Sequence, residues 1–139
     1  MVVMIMAVSW RAVADDDRPI SVKELPAKAL QFVEAHFSGE KIALAKMDRD
    51  FFETSYEIFF VNSTKIEFLG NGEWKEIDCR YSKVPESVIP QAISKKIKEL
   101  YPNTYVIEID RDKHGYELKL SNGFEIKFNN RFDITEIGR

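Results

Sequence analysis

The sequence predicts an α+β fold built as a tandem repeat, each copy a helix followed by a four-stranded antiparallel sheet, with the helices packed on one sheet face. Three observations carry this expectation. Apolar residues recur at helical spacing in two stretches, near residues 25–37 and 89–100. Each stretch gives way to runs in which apolar and polar residues alternate, separated by turn-forming residues. The second half also repeats the first in order: Leu25-Pro26 matches Ile89-Pro90, Phe37 matches Tyr101, and Asp48-Arg49-Asp50 matches Asp110-Arg111-Asp112. Tyr56-Glu57-Ile58 then matches Tyr116-Glu117-Leu118, Ile66-x-Phe68 matches Ile126-x-Phe128, and Glu76-Ile77 matches Glu136-Ile137. The offset shortens only across turns, where deletions are tolerated. Repeats of this length stack or lie side by side, so the two copies are expected to share one extended antiparallel sheet.

Residues 1–14 form an apolar run ending in Ala12-Val13-Ala14, the small-x-small form of a signal-peptidase site. Export with cleavage after Ala14 is expected, and with it a periplasmic or secreted location. The other reading of this segment is a buried N-terminal strand. The run is too short to span a bilayer, so no membrane span is expected in the mature chain. Residues 15–20 open with Asp15-Asp16-Asp17, contain Pro19, and read as an exposed arm.

The first repeat is placed at 21–80. Ser21 to Glu24 reads as a short turn, because Pro26 suits only the first turn of the helix that follows. Leu25, Ala29, Phe32, Val33 and Phe37 make its apolar stripe, and Ser38-Gly39 ends it. Strands are expected near 41–48, 52–61, 64–69 and 73–78, with hairpin turns at Asn62-Ser63 and Gly70-Asn71-Gly72. The second repeat, 81–139, has a helix opened by Pro85 and Pro90, with Ile89, Ile93, Ile97 and Leu100 as its stripe. Its strands are expected near 104–111, 115–121, 124–129 and 133–137.

Composition narrows the function classes. The chain has 139 residues, 45% of them hydrophobic and 12% aromatic, as a folded globular protein does. Its net charge is −3, and lysines and glutamates alternate instead of clustering, which argues against nucleic-acid binding. The inventory holds no G-x-S-x-G, HExxH, P-loop or CxxC pattern, and the single cysteine, Cys79, permits no internal disulfide. Cys79 reads as a packed thiol, His36 as a helix end and His114 as a hairpin tip. The paired Asp-Arg-Asp motifs could suggest a metal, but they fall between strands, where aspartate is favoured by turn chemistry. The expectation is therefore a non-enzymatic protein with no catalytic, cofactor or metal site.

One sheet face should be wet. In the second copy its residues are Val106, Glu108, Glu117, Lys119, Glu125 and Lys127, mostly charged, whereas the first copy puts Leu44 and Phe59 there, with Val61 beyond. Leu44, Phe59 and Val61, rimmed by Glu57, Lys65 and Glu67, are thus the candidate partner-binding residues. The competing reading covers Leu44 and Phe59 with the N-terminal arm, the other copy or a dimer mate.

The helix opening L-P-x-x-A-x-x-F-V-x-x-x-F at Leu25 to Phe37, followed by Tyr-Glu-Ile and Ile-x-Phe strands and then repeated, resembles the PepSY-like, beta-lactamase-inhibitor-like proteins exported by gut Bacteroidetes. The resemblance covers roughly residues 20–138. It implies a beta-lactamase-inhibitor-like fold, with helices on one side of an antiparallel sheet whose other face is available. It also implies an inhibitory or binding role, since related inhibitory proteins grip an enzyme loop with such a face and PepSY domains occur in propeptides that inhibit secreted peptidases. The chain departs from those inhibitors in having one cysteine and no contact motif that aligns. The leading expectation is an exported module docking a protein or peptide on its open sheet face, with inhibition of an extracytoplasmic hydrolase as one version. A small-ligand carrier with a pocket between helix and sheet is the alternative, and an acid/base enzyme with converging carboxylates the third reading.

Overall fold

A computed structural model describes residues 17–139; the expected signal segment, its cleavage point after Ala14, and Asp15 and Asp16 lie outside the described residues. The strands are β1 (Arg18–Ile20), β2 (Ile42–Arg49), β3 (Thr54–Phe60), β4 (Lys65–Leu69), β5 (Trp74–Asp78), β6 (Val106–Asp112), β7 (Gly115–Leu120), β8 (Glu125–Asn129) and β9 (Ile134–Gly138). The α-helices are α1 (Ala27–His36) and α2 (Gln91–Leu100), each preceded by a short 3-10 turn, Val22–Glu24 and Glu86–Val88.

Proline sets both helix starts. Pro26 and Pro90 occupy the N-cap positions, where a missing N–H costs nothing, and no side chain caps either helix. The 3-10 turn before α1 has a full capping box, with Ser21 accepting from Lys23 N–H and the Glu24 carboxylate accepting from Ser21 N–H. Each turn between adjacent strands of a hairpin is closed by a carbonyl or carboxylate side chain folding back on its own backbone. Asp50, Asn62, Asn71, Asp112, Asn122 and Asn129 all accept from N–H groups two to four residues on.

The fold class expected from the sequence is overturned. The chain does not form tandem units of a helix plus a four-stranded sheet; it forms one open antiparallel sheet of nine strands in sequence order, with two α-helices. The physical reason lies at the seam and at the arm. The edge of β5 would present unpaired backbone groups, and β6 satisfies them, pairing Glu76 with Asp110, Ile77 with Ile109 and Asp78 with Glu108. Residues 18–20, expected as an exposed arm, add β1 along β2 through Arg18↔Met47 and Ile20↔Ala45.

One apolar row runs across the whole sheet: Ile20, Ala45, Ile58, Ile66, Ile77, Ile109, Leu118, Ile126 and Ile137 stand opposite one another strand by strand. Ile58 through Ile126 in that row are wholly buried. Both helices cover this face, so Ala29, Val33, Ile93 and Ile97 join the strand residues in a single core. Phe37 stacks on Phe60 at 5.6 Å and Tyr101 on Phe124 at 5.1 Å, holding each helix C-terminus to its sheet half. Burying each isoleucine stabilises the fold by about 2 kcal/mol, so the row is the main cohesive element. Leu100 departs from the expected stripe and is exposed, because Tyr101 takes the covering position instead. Val106, expected on the wet face, is buried: its strand bulges between Val106 and Glu108, which turns the side chain inward.

Candidate functional site: the open sheet face

Alternation sends the residues flanking the apolar row to the opposite, uncovered face. Register then decides who meets whom. Next to the core row, Lys46, Glu57, Glu67, Glu76, Asp110, Glu117 and Lys127 lie opposite one another across β2 to β8. The middle of that row is five successive carboxylates, Glu57, Glu67, Glu76, Asp110 and Glu117, spanning about 19 Å at the usual strand spacing. The parallel row contains Leu44, Phe59, Lys65, Asp78, Glu108, Lys119 and Glu125. Like charges directly opposite on neighbouring strands are destabilising, and here they recur at four consecutive pairings.

Lysines relieve part of this repulsion. Lys65 Nζ lies 3.8 Å from Glu57 and 3.9 Å from Glu76, and Lys75 Nζ lies 3.9 Å from Glu67. No lysine or arginine among the described residues comes within 4 Å of Asp110, whose buried Oδ1 has no hydrogen-bond partner. Burial, followed by the charges of Glu76, Glu108, Glu117 and Asp78, pushes the Asp110 carboxyl up to about 7. Burial also raises Glu108, with Asp78 and Glu76 adding to it, and it raises Glu67. Carboxylate oxygens of Glu76, Glu108 and Asp110 all lie within 4.8 Å of one another, close enough to share one cation. Beside them a groove of about 570 Å³ runs over β5 to β9, lined by Lys75, Glu76, Asp110, His114, Glu117 and Lys127. Three half-buried carboxylates with hard oxygen donors suit a hard cation such as calcium, with water completing its shell.

The expected partner-binding residues are brought together in part. Leu44 stands opposite Phe59 and Phe59 opposite Lys65 in one row, with Glu57 and Glu67 in the next. Leu44 is 40% exposed and Phe59 half-buried, with Lys46 Nζ 5.9 Å above the Phe59 ring. Val61 lies past the end of β3, exposed, its N–H donating to Lys41 C=O. The Asp-Arg-Asp motifs divide between two roles. Asp50 and Asp112 close turns, as expected, whereas Asp48 and Asp110 are strand residues, and Asp110 sits at the centre of the acidic row. Sequence reasoning missed the row because each member is an ordinary surface glutamate or aspartate until the strand register aligns them. Cys79 is buried, and burial raises its thiol. His36 ends α1 with Nδ1 2.8 Å from Ser87 Oγ, and His114 lies in the β6–β7 turn.

Residues 54–136 match the family model described as "Putative beta-lactamase-inhibitor-like, PepSY-like". Among solved structures, a "putative periplasmic protein" of the DUF2874 family from Bacteroides vulgatus ATCC 8482 is 48% identical, with a TM-score of 0.87 over 91% of this chain and 99% of that one. A "putative calcium-regulated periplasmic protein" from Bacteroides thetaiotaomicron is 47% identical, with a TM-score of 0.87 over 89% of this chain and 98% of that one. A further "putative periplasmic protein of unknown function" from Bacteroides vulgatus ATCC 8482 is 38% identical, with a TM-score of 0.84 over 88% and 99%. No curated protein matches the chain. The periplasmic descriptions of these relatives agree with the export expected from residues 1–14, and the protein is a periplasmic one. Among the described residues, no helix is long and apolar enough to cross a membrane.

Proposed function

The chain belongs to the PepSY-like family, and from that premise we propose that it is a non-enzymatic binding module that docks a basic segment of a protein or peptide on its open sheet face. The observation that carries this reading is the row of five carboxylates aligned across β3 to β7. Their mutual repulsion raises the free energy of the empty face, and a lysine- or arginine-rich segment laid across it relieves that repulsion. Leu44 and Phe59 supply an apolar contact at one end of the face, with Glu57, Lys65 and Glu67 fixing register. Inhibition of an extracytoplasmic hydrolase is one form such docking could take. The carrier reading draws less support, since the space between helices and sheet is filled by Ala29, Val33, Ile93 and Ile97 against Ile58, Ile66, Ile77 and Ile109.

A second reading is favoured by the convergence of Glu76, Glu108 and Asp110 and by the calcium-regulated description of a relative 47% identical to this chain. A calcium ion there would neutralise the middle of the row and so compete with a basic segment. Both readings are tested together by fluorescence anisotropy of labelled deca-lysine and by calorimetric titration of chelator-treated protein with calcium chloride. Saturable binding of deca-lysine is expected, weakened at least 10-fold in a Glu76→Gln/Asp110→Asn protein and displaced by calcium in the native one. Binding that ignores the double substitution would overturn the docking reading. Calcium uptake that ignores it would overturn the second reading alone.

A further inference from the structure

The β2–β3 hairpin ends in two phenylalanines that nothing covers. Phe51 is 94% exposed and Phe52 95% exposed. The tip is nonetheless built: Asp50 Oδ1 accepts from both Phe52 N–H and Glu53 N–H at 2.9 Å, and Asp50 N–H donates to Glu53 C=O at 3.0 Å. The two rings stand edge to face, 6.4 Å apart. The corresponding β6–β7 tip carries Lys113 and His114 on the same kind of aspartate-closed turn, so the hairpin itself does not need aromatic residues there. Two phenylalanines together offer on the order of 300–500 Å² of apolar surface, far more than an isolated exposed side chain. They lie roughly 20 Å along the hairpin from Phe59, at the strand rise of 3.3 Å per residue, so they form a surface separate from the Leu44–Phe59 pair.

We propose that this tip is an insertion finger: Phe51 and Phe52 enter a preformed apolar pocket of a partner protein whose rim is basic. The charge around the finger selects that occupant. Asp50 and Glu53 outnumber Arg49, and all three side chains are exposed. An anionic lipid surface repels such a tip, whereas lysines and arginines around a protein pocket complement it. The N–H groups of Phe52 and then Glu53 hold the Asp50 carboxyl below its ordinary range, which favours its charged form. A turn fixed in advance loses little freedom on docking, so the aromatic burial is retained as affinity. The finger stands independently of the acidic row.

The test places the photo-reactive residue p-benzoyl-phenylalanine at position 52 of the full chain in its native envelope, with position 114 as control. One protein adduct is expected at 52 and not at 114, mapping to an apolar pocket bordered by lysine or arginine. That protein, purified, should bind the native chain, lose affinity with rising salt, and bind a Phe51→Ser/Phe52→Ser chain at least 100-fold more weakly. The double substitution should leave the melting temperature unchanged, since neither ring packs against the fold. An adduct on phospholipid, an adduct on a second copy of the chain, or no adduct above the control each overturns the proposal. Glu76→Gln/Asp110→Asn should leave the adduct intact, so failure of the open-face reading is read separately.

Discussion

Asp110 shows how much a single residue's meaning depends on its neighbours. In the unfolded chain it is an ordinary aspartate with a value near 3.8; folding sets it among Glu76, Glu108, Glu117 and Asp78 and pushes it up to about 7. A carboxyl raised on folding binds its proton more tightly in the native state, so protonation favours the fold. Its contribution is therefore fully present below about pH 3.8 and is lost as pH rises through about 7. Asp110→Asn should accordingly stabilise the protein at pH 8 and give no such gain near pH 3.5. Allowing for solvent screening of a half-exposed group, the gain is about 1–2 kcal/mol, or a few degrees in melting temperature. Thermal melts by circular dichroism at the two pH values check this, and a variant that melts lower than the native protein at pH 8 contradicts it. Nothing in the local sequence Ile-Asp-Arg-Asp carries this information; the motif reads as turn chemistry, and for Asp112 it is.

At the scale of the element, the turns were the most legible part of the chain. Asparagine and aspartate recur before each tight turn because their short side chains can accept a backbone N–H a few residues on. Asn71 is the case with the widest consequences: its Oδ1 accepts from Glu73 N–H at 2.9 Å, and Glu73 in turn binds Lys28 of α1 and Arg111 of β6. Asn71→Ala should cost about 1 kcal/mol in urea unfolding, and Asn122→Ala, whose turn precedes Phe124 with no such cross-element pair, should cost less. Equal losses would show that the Glu73 contacts add nothing. The helix stripes were legible too, from proline and apolar spacing. The bulges at Ala43, Lys75, Ile107 and Thr135 were not, since an extra residue in one strand leaves the alternation on either side intact. The finger was missed for a related reason. A strand over 52–61 was expected, yet β3 starts only at Thr54, because Asp50 captures the N–H groups of Phe52 and Glu53 for the turn.

At the scale of the molecule, the halves are joined by backbone pairing along β5 and β6 and by Arg111. The guanidinium lies 3.9 Å over the Trp74 ring, its Nε donates to Trp74 C=O at 2.8 Å, and Nη2 reaches Glu73 at 2.9 Å. Arg111→Ala should cost about 2 kcal/mol, and lysine should restore only part, lacking the planar fork. The continuous core predicts that both halves unfold together. Amide resonances of Ile66 and Ile126 should vanish at the same urea concentration, and separate midpoints would show that the halves are independent units. Arg111→Ala should lower that shared midpoint without splitting it.

The sequence by itself determined the elements: two helices started by proline, strands marked by alternation, turns closed by asparagine and aspartate, and the order in which they recur. These are local properties, set by spacing and by side chains bonding to nearby backbone. Only the tertiary structure decided that residues 18–20 join the shared sheet as a ninth strand, that β5 and β6 form its seam, and that five carboxylates align on its open face. Those outcomes depend on strand register and on which edge satisfies which backbone groups, both of which are contacts between residues far apart in the chain.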